Sequence, residues 1–277
     1  MKGLREMAAW LAAGAAVYGG LLTGLYLFQR QLLYHPSTSV PDAVEAGVPE
    51  MRPVALPTAD GVDLLAWHRP PGPGRKLLIY LHGNAGHIGH RGSKVRPYLD
   101  AGHGVLLVSW RGYGGNRGRP SEQGLMHDAR AALDFALLTG MRPKDVALYG
   151  ESLGSGPAVM LAAESAAAGR PVGGVALEAP YTSMADLAQH HYFYVPARYL
   201  LTDKYEAEAH IQRIAAPLLI VHGERDRTVP ARFGRTLFDR ALEPKQAVWL
   251  PAAEHNDLYD HGAGEAVLKF LNGLPRQ

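Results

Sequence analysis

The sequence predicts an α/β protein whose sheet is mostly parallel and doubly wound, with helices on both faces. Short apolar runs of strand length recur after residue 60, at 62–67, 77–81, 104–110, 146–149, 174–179, 217–222 and 246–250. Stretches of helical length separate the later runs, at 120–138, 153–168, 231–242 and 262–272. Strands that alternate with helices in this way form βαβ units around a buried sheet. Because no internal repeat or linker interrupts the pattern, we expect one folded body.

An uncharged stretch of 23 residues, from Met7 to Gln29, precedes this body. At about 1.5 Å per residue, a helix of that length crosses a hydrocarbon core of roughly 30 Å. The alternative is a cleaved signal peptide, but its apolar region is usually roughly 7–15 residues long, and no small-residue cleavage site follows here. A buried core helix would be shorter. We therefore expect helix 7–29 to be an uncleaved, single-pass membrane anchor.

Charges and small residues around this stretch suggest its orientation and its packing. Lys2 and Arg5 precede it and Arg30 follows it, a bias that favours a cytoplasmic N-terminus and an extracytoplasmic body. Small side chains also recur every four residues along the stretch, at Ala12, Ala16, Gly20 and Gly24. Such a ridge lets two helices approach closely, which suggests a helix-mediated dimer. The alternative is that the ridge only reflects a composition rich in glycine and alanine.

Composition excludes several classes of function. The 277 residues contain no cysteine, which rules out disulfides, thiolate zinc sites, iron–sulfur clusters and a cysteine nucleophile. The chain has 28 basic and 26 acidic side chains, and its small excess of positive charge lies in the first 30 residues. A nucleic-acid binder needs a surplus of Lys and Arg to displace counterions from phosphates. We therefore expect no nucleic-acid partner.

The most informative motif is Gly150-Glu-Ser152-Leu-Gly154, which follows an apolar run and opens a helical stretch. In that context a G-x-S-x-G sequence turns so tightly from strand to helix that the residues flanking the serine must be small. The turn raises the serine above the edge of the sheet, at a helix N-terminus. We predict that Ser152 is a nucleophile. The alternative is a glycine-rich turn with an incidental serine.

A serine hydroxyl becomes an effective nucleophile when an imidazole takes its proton and a carboxylate orients that imidazole. In doubly wound hydrolases the acid and then the base follow the serine along the chain. Asp226 and His255 each come just after a predicted strand, where open α/β sheets place their sites, and we predict them as acid and base. Glu224 is an alternative acid, and His222 and His261 are alternative bases.

The oxyanion formed by serine attack needs two N–H donors. Leu153, which follows the nucleophile, is expected to supply one backbone N–H. Asn84, in the loop after run 77–81, is expected to supply the other, because Gly83 lets the backbone turn there. We expect the neighbouring His82 to brace this loop rather than to transfer protons.

Two other patterns raise the question of a cofactor. His82, His87 and His90 share one loop, but without a cysteine, a nearby carboxylate or an H-E-x-x-H helix we expect no metal site. The glycines of segment 111–118 fit neither the dinucleotide nor the phosphate-loop spacing. The sequence therefore predicts an enzyme without a cofactor.

Residues 180–216, here called the lid segment, form a connection longer than a simple crossover and rich in aromatic side chains. We expect one or two helices that form a small lid over the sheet, with an ordinary crossover helix as the alternative. Tyr181, His191, Tyr192 and Phe193 are the candidates for contact with a substrate.

Taken in chain order, these motifs resemble those of the α/β-hydrolase superfamily, and more narrowly its membrane-anchored, single-pass ABHD-type serine hydrolases. The similar segments run over almost the whole chain, at 32–36, 81–86, 110–114, 119–122, 150–154, 178–183, 222–226 and 254–257. The resemblance implies the α/β-hydrolase fold and hydrolysis of carboxylic esters or thioesters. It places the catalytic positions on Ser152, Asp226 and His255.

We therefore expect residues 1–30 to form a membrane anchor and residues 31–277 a catalytic domain. The expected substrate is an acyl ester or thioester, including lipid-like ones, cleaved through an acyl-Ser152 intermediate. Amide or peptide hydrolysis by the same residues is one alternative, against which the short lid segment argues. A non-catalytic anchored scaffold is the other, against which the complete set of serine, acid and base argues.

Overall fold

The computed structural model describes residues 2–275, and these contain ten strands. They are β1 (His35–Pro36), β2 (Arg52–Pro57), β3 (Asp63–Arg69), β4 (Leu77–Leu81), β5 (Ala85–Gly86), β6 (Gly104–Val108), β7 (Val146–Glu151), β8 (Gly174–Glu178), β9 (Leu218–Gly223) and β10 (Lys245–Leu250). Eight of them form one sheet in the order β10-β9-β8-β7-β4-β6-β3-β2. Within it β3 is antiparallel to both of its neighbours, β2 and β6, and the other pairs are parallel. The predicted α/β class with a mostly parallel sheet is confirmed.

The central strands are continuous apolar runs because both faces of the sheet are covered. Every residue of β4, β6, β8 and β9 is buried, as expected for parallel strands between two layers of helices. All seven predicted runs correspond to strands. Strand β2 was not predicted from the sequence, because it carries Pro53 and Pro57. Prolines are tolerated there because β2 lies at the sheet edge, where fewer backbone N–H groups are needed.

Nine α-helices lie in the described part of the chain. They are α1 (Lys2–Leu33), α2 (Gly92–Asp100), α3 (Glu122–Leu138), α4 (Ser155–Ala167), α5 (Met184–His191), α6 (Ala197–Leu200), α7 (Ala207–His210), α8 (Ala231–Arg240) and α9 (Ala263–Gly273). Helices α3, α4 and α8 contribute to the core on one face of the sheet, and α2 and α9 to the core on the other. The sheet is therefore covered on both sides, as predicted. The sequence analysis did not predict α2.

Helix α1 is long, apolar and free of buried residues. Its best 18-residue window has a mean hydropathy of 1.6, and within residues 2–275 it is the one helix long and apolar enough to cross a membrane. A signal sequence near the N-terminus also passes this test of length and composition. The helix runs past Gln29 to Leu33 because the next helix-breaking residue is Pro36.

The lid segment contains the three short helices α5, α6 and α7, where one or two were expected. It connects β8 to β9, and its first helix begins after Ser183, whose side chain caps α5 by accepting a hydrogen bond from Asp186 N–H. Several of its aromatic side chains are exposed, among them Phe193, Tyr194 and Tyr199.

Candidate active site

Ser152 lies on a sharp turn between β7 and α4. Its φ is +48°, in the left-handed region that residues with a Cβ rarely adopt. The flanking glycines are required by close packing. A Cβ on Gly150 would lie 2.5 Å from the Ser155 Cα, and a Cβ on Gly154 would lie 2.0 Å from the Leu81 carbonyl oxygen. The local sequence therefore accommodates a strained turn that exposes the serine hydroxyl.

The structure brings Ser152, His255 and Asp226 into one chain of hydrogen bonds. The Ser152 hydroxyl lies 3.0 Å from His255 Nε2, and His255 Nδ1 lies 2.6 Å from Asp226 Oδ2. The other carboxylate oxygen of Asp226 accepts the backbone N–H groups of Thr228 and Val229, at 2.8 and 2.7 Å. In this arrangement His255 donates from Nδ1 to the carboxylate, so that Nε2 is free to accept the serine proton.

Neighbouring hydrogen-bond donors keep the Asp226 carboxylate ionised. Burial on its own would raise the pKa of this carboxyl, but hydrogen bonds from the His222 and His255 rings and from Val229 N–H outweigh it and lower the pKa to about 2. The group is therefore an anion at neutral pH. A buried anion beside His255 fixes the tautomer of the ring and stabilises its protonated form.

The alternative acid and bases are engaged elsewhere. Glu224 forms an exposed ion pair with Arg235. His222 is fully buried, and its Nε2 lies 2.7 Å from the Val229 carbonyl oxygen, behind Asp226. His261 Nε2 lies 3.6 Å from a carboxylate oxygen of Asp257. The structure therefore favours Asp226 and His255 as the partners of the serine.

Ser152 opens into a cleft of about 490 Å³, a size typical of small-molecule sites. Leu153 and Asn84 line it beside the serine. Asn84 is held firmly, because its carbonyl accepts the His35 N–H at 2.9 Å and the Tyr113 hydroxyl at 2.7 Å. The two residues predicted to bind the oxyanion therefore line the same cleft as the nucleophile.

His82 supports this loop from below. Its Nδ1 lies 2.7 Å from the Gly83 carbonyl oxygen, and its own carbonyl accepts the Trp110 indole N–H at 2.8 Å. Burial lowers the pKa of His82 to about 3, so the ring is neutral and suited to bracing. The nearby rings of His87 and His90 stack at 4.1 Å. No group of three potential metal-binding side chains is found in residues 2–275.

Two of the four aromatic candidates line the cleft, and two do not. His191 and Tyr192 line it. Tyr181 is fully buried, and its hydroxyl donates to the Leu153 carbonyl oxygen at 2.9 Å, so it supports the turn at the nucleophile from behind. Phe193 is 80% exposed and does not line the cleft. Aromatic composition alone did not distinguish packing from lining side chains.

Comparison with known proteins identifies the family. A sequence model of the alpha/beta hydrolase fold matches residues 76–209. An uncharacterized protein of Mycobacterium tuberculosis is 39% identical over 253 residues, which cover 89% of this chain and 87% of that protein. The chain belongs to the α/β-hydrolase family. Lysophosphatidylserine lipase ABHD12 of Danio rerio is 32% identical over 184 residues, 61% of this chain and 48% of the lipase.

A solved esterase of Pyrococcus furiosus has the same fold as this α/β-hydrolase. The two superpose with a TM-score of 0.69 at 18% identity, over 87% of this chain and 99% of the esterase. The segment matched by the family model contains Ser152 and Asn84 but ends before Asp226 and His255. The assignment of the acid and the base in this hydrolase therefore depends on the hydrogen bonds described above.

A buried charged cluster below the nucleophile was not predicted. Glu151, the last residue of β7, binds Arg91 through two N–H···O bonds of 3.0 Å each and lies 3.2 Å from Lys94. Lys94 in turn lies 2.7 Å from Glu178, which also accepts the Tyr149 hydroxyl. Burial would raise the pKa of Glu151, but the charges of Arg91 and Lys94 hold it well below its usual range.

The signal for this cluster was present in the sequence. Two glutamates stand at the ends of apolar strands, Glu151 in β7 and Glu178 in β8, and a buried carboxylate requires a cationic partner. The sequence does not show which cations approach them. In the hydrolase the cluster ties the end of β7 to β8 and to α2, and so helps to hold the strained turn at Ser152.

Proposed function

We propose that this protein is a membrane-anchored serine hydrolase that cleaves carboxylic ester or thioester bonds through an acyl-Ser152 intermediate. The observation that carries the proposal is the continuous chain from Asp226 through His255 to Ser152, with separations of 2.6 and 3.0 Å. The distance between Ser152 and His255 permits transfer of the hydroxyl proton, and the distance between His255 and Asp226 permits a hydrogen bond that orients the ring. The hydroxyl at its end faces an apolar cleft of ligand size.

The reaction follows from this geometry. Ser152 Oγ attacks the carbonyl carbon while His255 Nε2 takes the hydroxyl proton, and Asp226 stabilises the imidazolium. The backbone N–H groups of Leu153 and Asn84 bind the oxyanion. The imidazolium then gives its proton to the leaving oxygen or sulfur, and the alcohol or thiol departs. Water attacks the acyl-serine with His255 again as base, releasing the carboxylic acid and restoring the serine.

The cleft supports an acyl substrate with a long apolar chain. Leucines dominate its walls away from Ser152, among them Leu187, Leu200 and Leu201. Two of the relatives are described as a lipase and an esterase. Both act on esters, in which the leaving group is an alcohol. Lipid-like acyl esters are therefore the substrates we propose to test first.

The proposed location follows from α1. The helix would anchor residues 1–30 in the membrane, and the positive charges before the span support an extracytoplasmic position for the catalytic domain, residues 31–277. Because the natural chain has no cysteine, a single cysteine reports the side directly. We expect a membrane-impermeant maleimide to label Leu138→Cys, at an 87% exposed position, in intact cells, and Lys2→Cys only after lysis. The reverse pattern would contradict the orientation.

The nucleophile is tested with full-length protein in membranes and a fluorophosphonate probe. We expect labelling of the natural protein, loss of labelling in Ser152→Ala, and unchanged labelling in Ser39→Ala, a matched change at an exposed serine. p-Nitrophenyl esters from acetyl to palmitoyl then measure turnover. Absence of labelling and turnover in a protein that still unfolds cooperatively would refute the enzyme assignment and favour the anchored scaffold.

A further inference from the structure

The C-terminal end of α1 takes part in the candidate active site. Leu25, Gln29, Leu32 and Leu33 line the same cleft as Ser152. Residues spaced by three or four share one face of a helix, so these side chains form a stripe that faces the cleft. Leu27, on the same turn as Leu25, is 64% exposed. One face of the helix is therefore a wall of the cleft, and the other is free.

Specific polar contacts fix α1 against the lid segment. Arg30 binds the buried carboxylate of Asp203 through two N–H···O bonds of 2.9 and 3.1 Å, the bidentate geometry that gives strong orientation. Gln29 Oε1 accepts the Thr202 backbone N–H at 2.7 Å and its hydroxyl at 2.9 Å. Tyr34, just beyond the helix, donates to Asp203 at 3.0 Å. The position of the helix end is thus set by charge and hydrogen-bond geometry as well as by apolar packing.

The chain that leaves α1 is bonded to the loop that carries Asn84. The Asn84 side-chain amide donates to the Leu33 carbonyl oxygen at 2.8 Å, and β1 pairs with β5 immediately after Asn84. The helix end, the cleft wall and the proposed oxyanion donor are therefore one connected unit.

The middle of α1 lies beside the lid segment. The Tyr18 hydroxyl donates to the Tyr194 carbonyl oxygen at 3.1 Å. Tyr18 lies 11 residues before Gln29, or about 16 Å along the helix. The exposed residue Tyr194 thus lies alongside the apolar stretch of α1, and its ring packs edge-on against that of Phe193. If that stretch spans the bilayer, the opening between α1 and the lid segment faces hydrocarbon.

We propose that the last turns of α1 form one wall of the acyl-binding cleft, so that the anchor helix itself selects the acyl chain of a membrane lipid ester. The chain enters between α1 and the lid segment and reaches Ser152 along Leu25 and Leu33. This inference rests on the proposed function, since it assigns the acyl chain of that reaction to the cleft.

The test compares two tryptophan variants on the same turn, in full-length protein reconstituted in detergent micelles. Leu25→Trp adds bulk to the cleft wall, and Leu27→Trp adds the same bulk to the exposed face. With p-nitrophenyl esters we expect Leu25→Trp to lower the rate for myristoyl and palmitoyl esters by about tenfold or more relative to the acetyl ester, since pocket contacts of this size change rates by about 10–200-fold. Leu27→Trp should keep the natural chain-length profile.

A second variant keeps the test informative if Leu25→Trp does not fold. Leu25→Ala widens the cleft, and we expect its chain-length optimum to move from that of the natural protein while acetyl ester turnover persists. An unchanged profile in the folded Leu25 variants would overturn the inference and leave the proposed function intact. Loss of probe labelling and of acetyl ester turnover in the natural protein would instead overturn the proposed function, and this inference with it.

Discussion

Replacing Asp226 by Asn tests the role of the buried carboxylate in orienting His255, with a change of one atom. The Asn oxygen can keep both N–H bonds from Thr228 and Val229, which places its NH2 group where Oδ2 now lies 2.6 Å from His255 Nδ1. If the Asn amide were turned the other way, its NH2 group would face the N–H groups of Thr228 and Val229. This orientation is unfavourable because all of these groups are donors. His255 must then accept at Nδ1 and carry its proton on Nε2, so it can no longer accept the proton of Ser152.

The expected loss follows from this change of tautomer. An acid-to-amide change in a serine–histidine–aspartate relay lowers kcat by about 10⁴-fold, which corresponds to about 5 kcal/mol of transition-state stabilisation. Turnover of p-nitrophenyl acetate by full-length protein measures it. The matched control is Glu224→Gln, because Glu224 is the alternative acid and lies in an exposed ion pair with Arg235. We expect the control to stay within about twofold of the natural rate, since an exposed pair contributes little.

Two results would contradict the assignment of Asp226 as the acid that orients His255. One is Asp226→Asn activity within tenfold of natural activity in a folded protein. The other is a large loss in Glu224→Gln, which would move the acid to that position.

The same variant should alter the pH dependence of stability. The Asp226 pKa is lowered from 3.8 to about 2 in the folded protein. A lowered pKa stabilises the folded state above the unfolded value, and that contribution is lost as the pH falls towards the folded value. At about 1.4 kcal/mol per pH unit, the contribution is about 2 kcal/mol at neutral pH. The difference in unfolding free energy between natural protein and Asp226→Asn should therefore shrink between about pH 4 and about pH 2, and a constant difference would contradict the ionised pair.

Two further substitutions test the turn at the nucleophile, with thermal unfolding and ester turnover as the measurements. Gly154→Ala places a Cβ 2.0 Å from the Leu81 carbonyl oxygen, and we expect about 1–3 kcal/mol of destabilisation and slower turnover, whereas Gly273→Ala, with no atom within 4 Å, should change neither. Glu151→Gln removes the carboxylate that pairs with the buried cations Arg91 and Lys94, so we expect the free energy of unfolding to fall by about 3–5 kcal/mol. Natural stability in either Gly154→Ala or Glu151→Gln would contradict these contacts.

The elements that could be predicted are those whose burial requires apolar residues. The central strands β4, β6, β8 and β9 are buried on both faces, so each is a short apolar run visible without structural data. The edge strand β2 lacks that signature, and its prolines favoured a loop. Helix α2 was missed because it is nine residues long and contains Pro97. Both misses lie where the local sequence pattern is weak and tertiary contacts determine the structure.

Part of the candidate site could likewise be predicted from the sequence, and part could not. Chain order and position after a strand were enough to select Ser152, Asp226 and His255, because parallel strands bring their carboxyl ends to one edge. Their roles in catalysis remain predictions. The contribution of α1 could not be foreseen, since the polar run from Gln29 read as the end of a membrane span. Its contacts with Asp203 and Thr202 join positions more than 170 residues apart, which no local pattern encodes.

Backbone strain at Ser152 bears on the choice between an enzyme and an anchored scaffold. Four residues other than glycine have a left-handed backbone in the described chain, at Ser152, Ala179, Tyr205 and Ala215. Each such residue costs about 1–3 kcal/mol, so strain alone does not mark a catalytic residue.

Ser152 differs from the other three in what its side chain meets. Its hydroxyl lies 3.0 Å from an imidazole that is bound to a buried, ionised carboxylate. A scaffold would gain stability from glycine at position 152 and from apolar side chains in place of the buried charge. A hydrolase needs the strained backbone and the buried anion although both reduce stability. The strain exposes the nucleophile, and the anion holds its base in the tautomer that accepts the serine proton. The coincidence of the two at one residue therefore favours catalysis over a structural role.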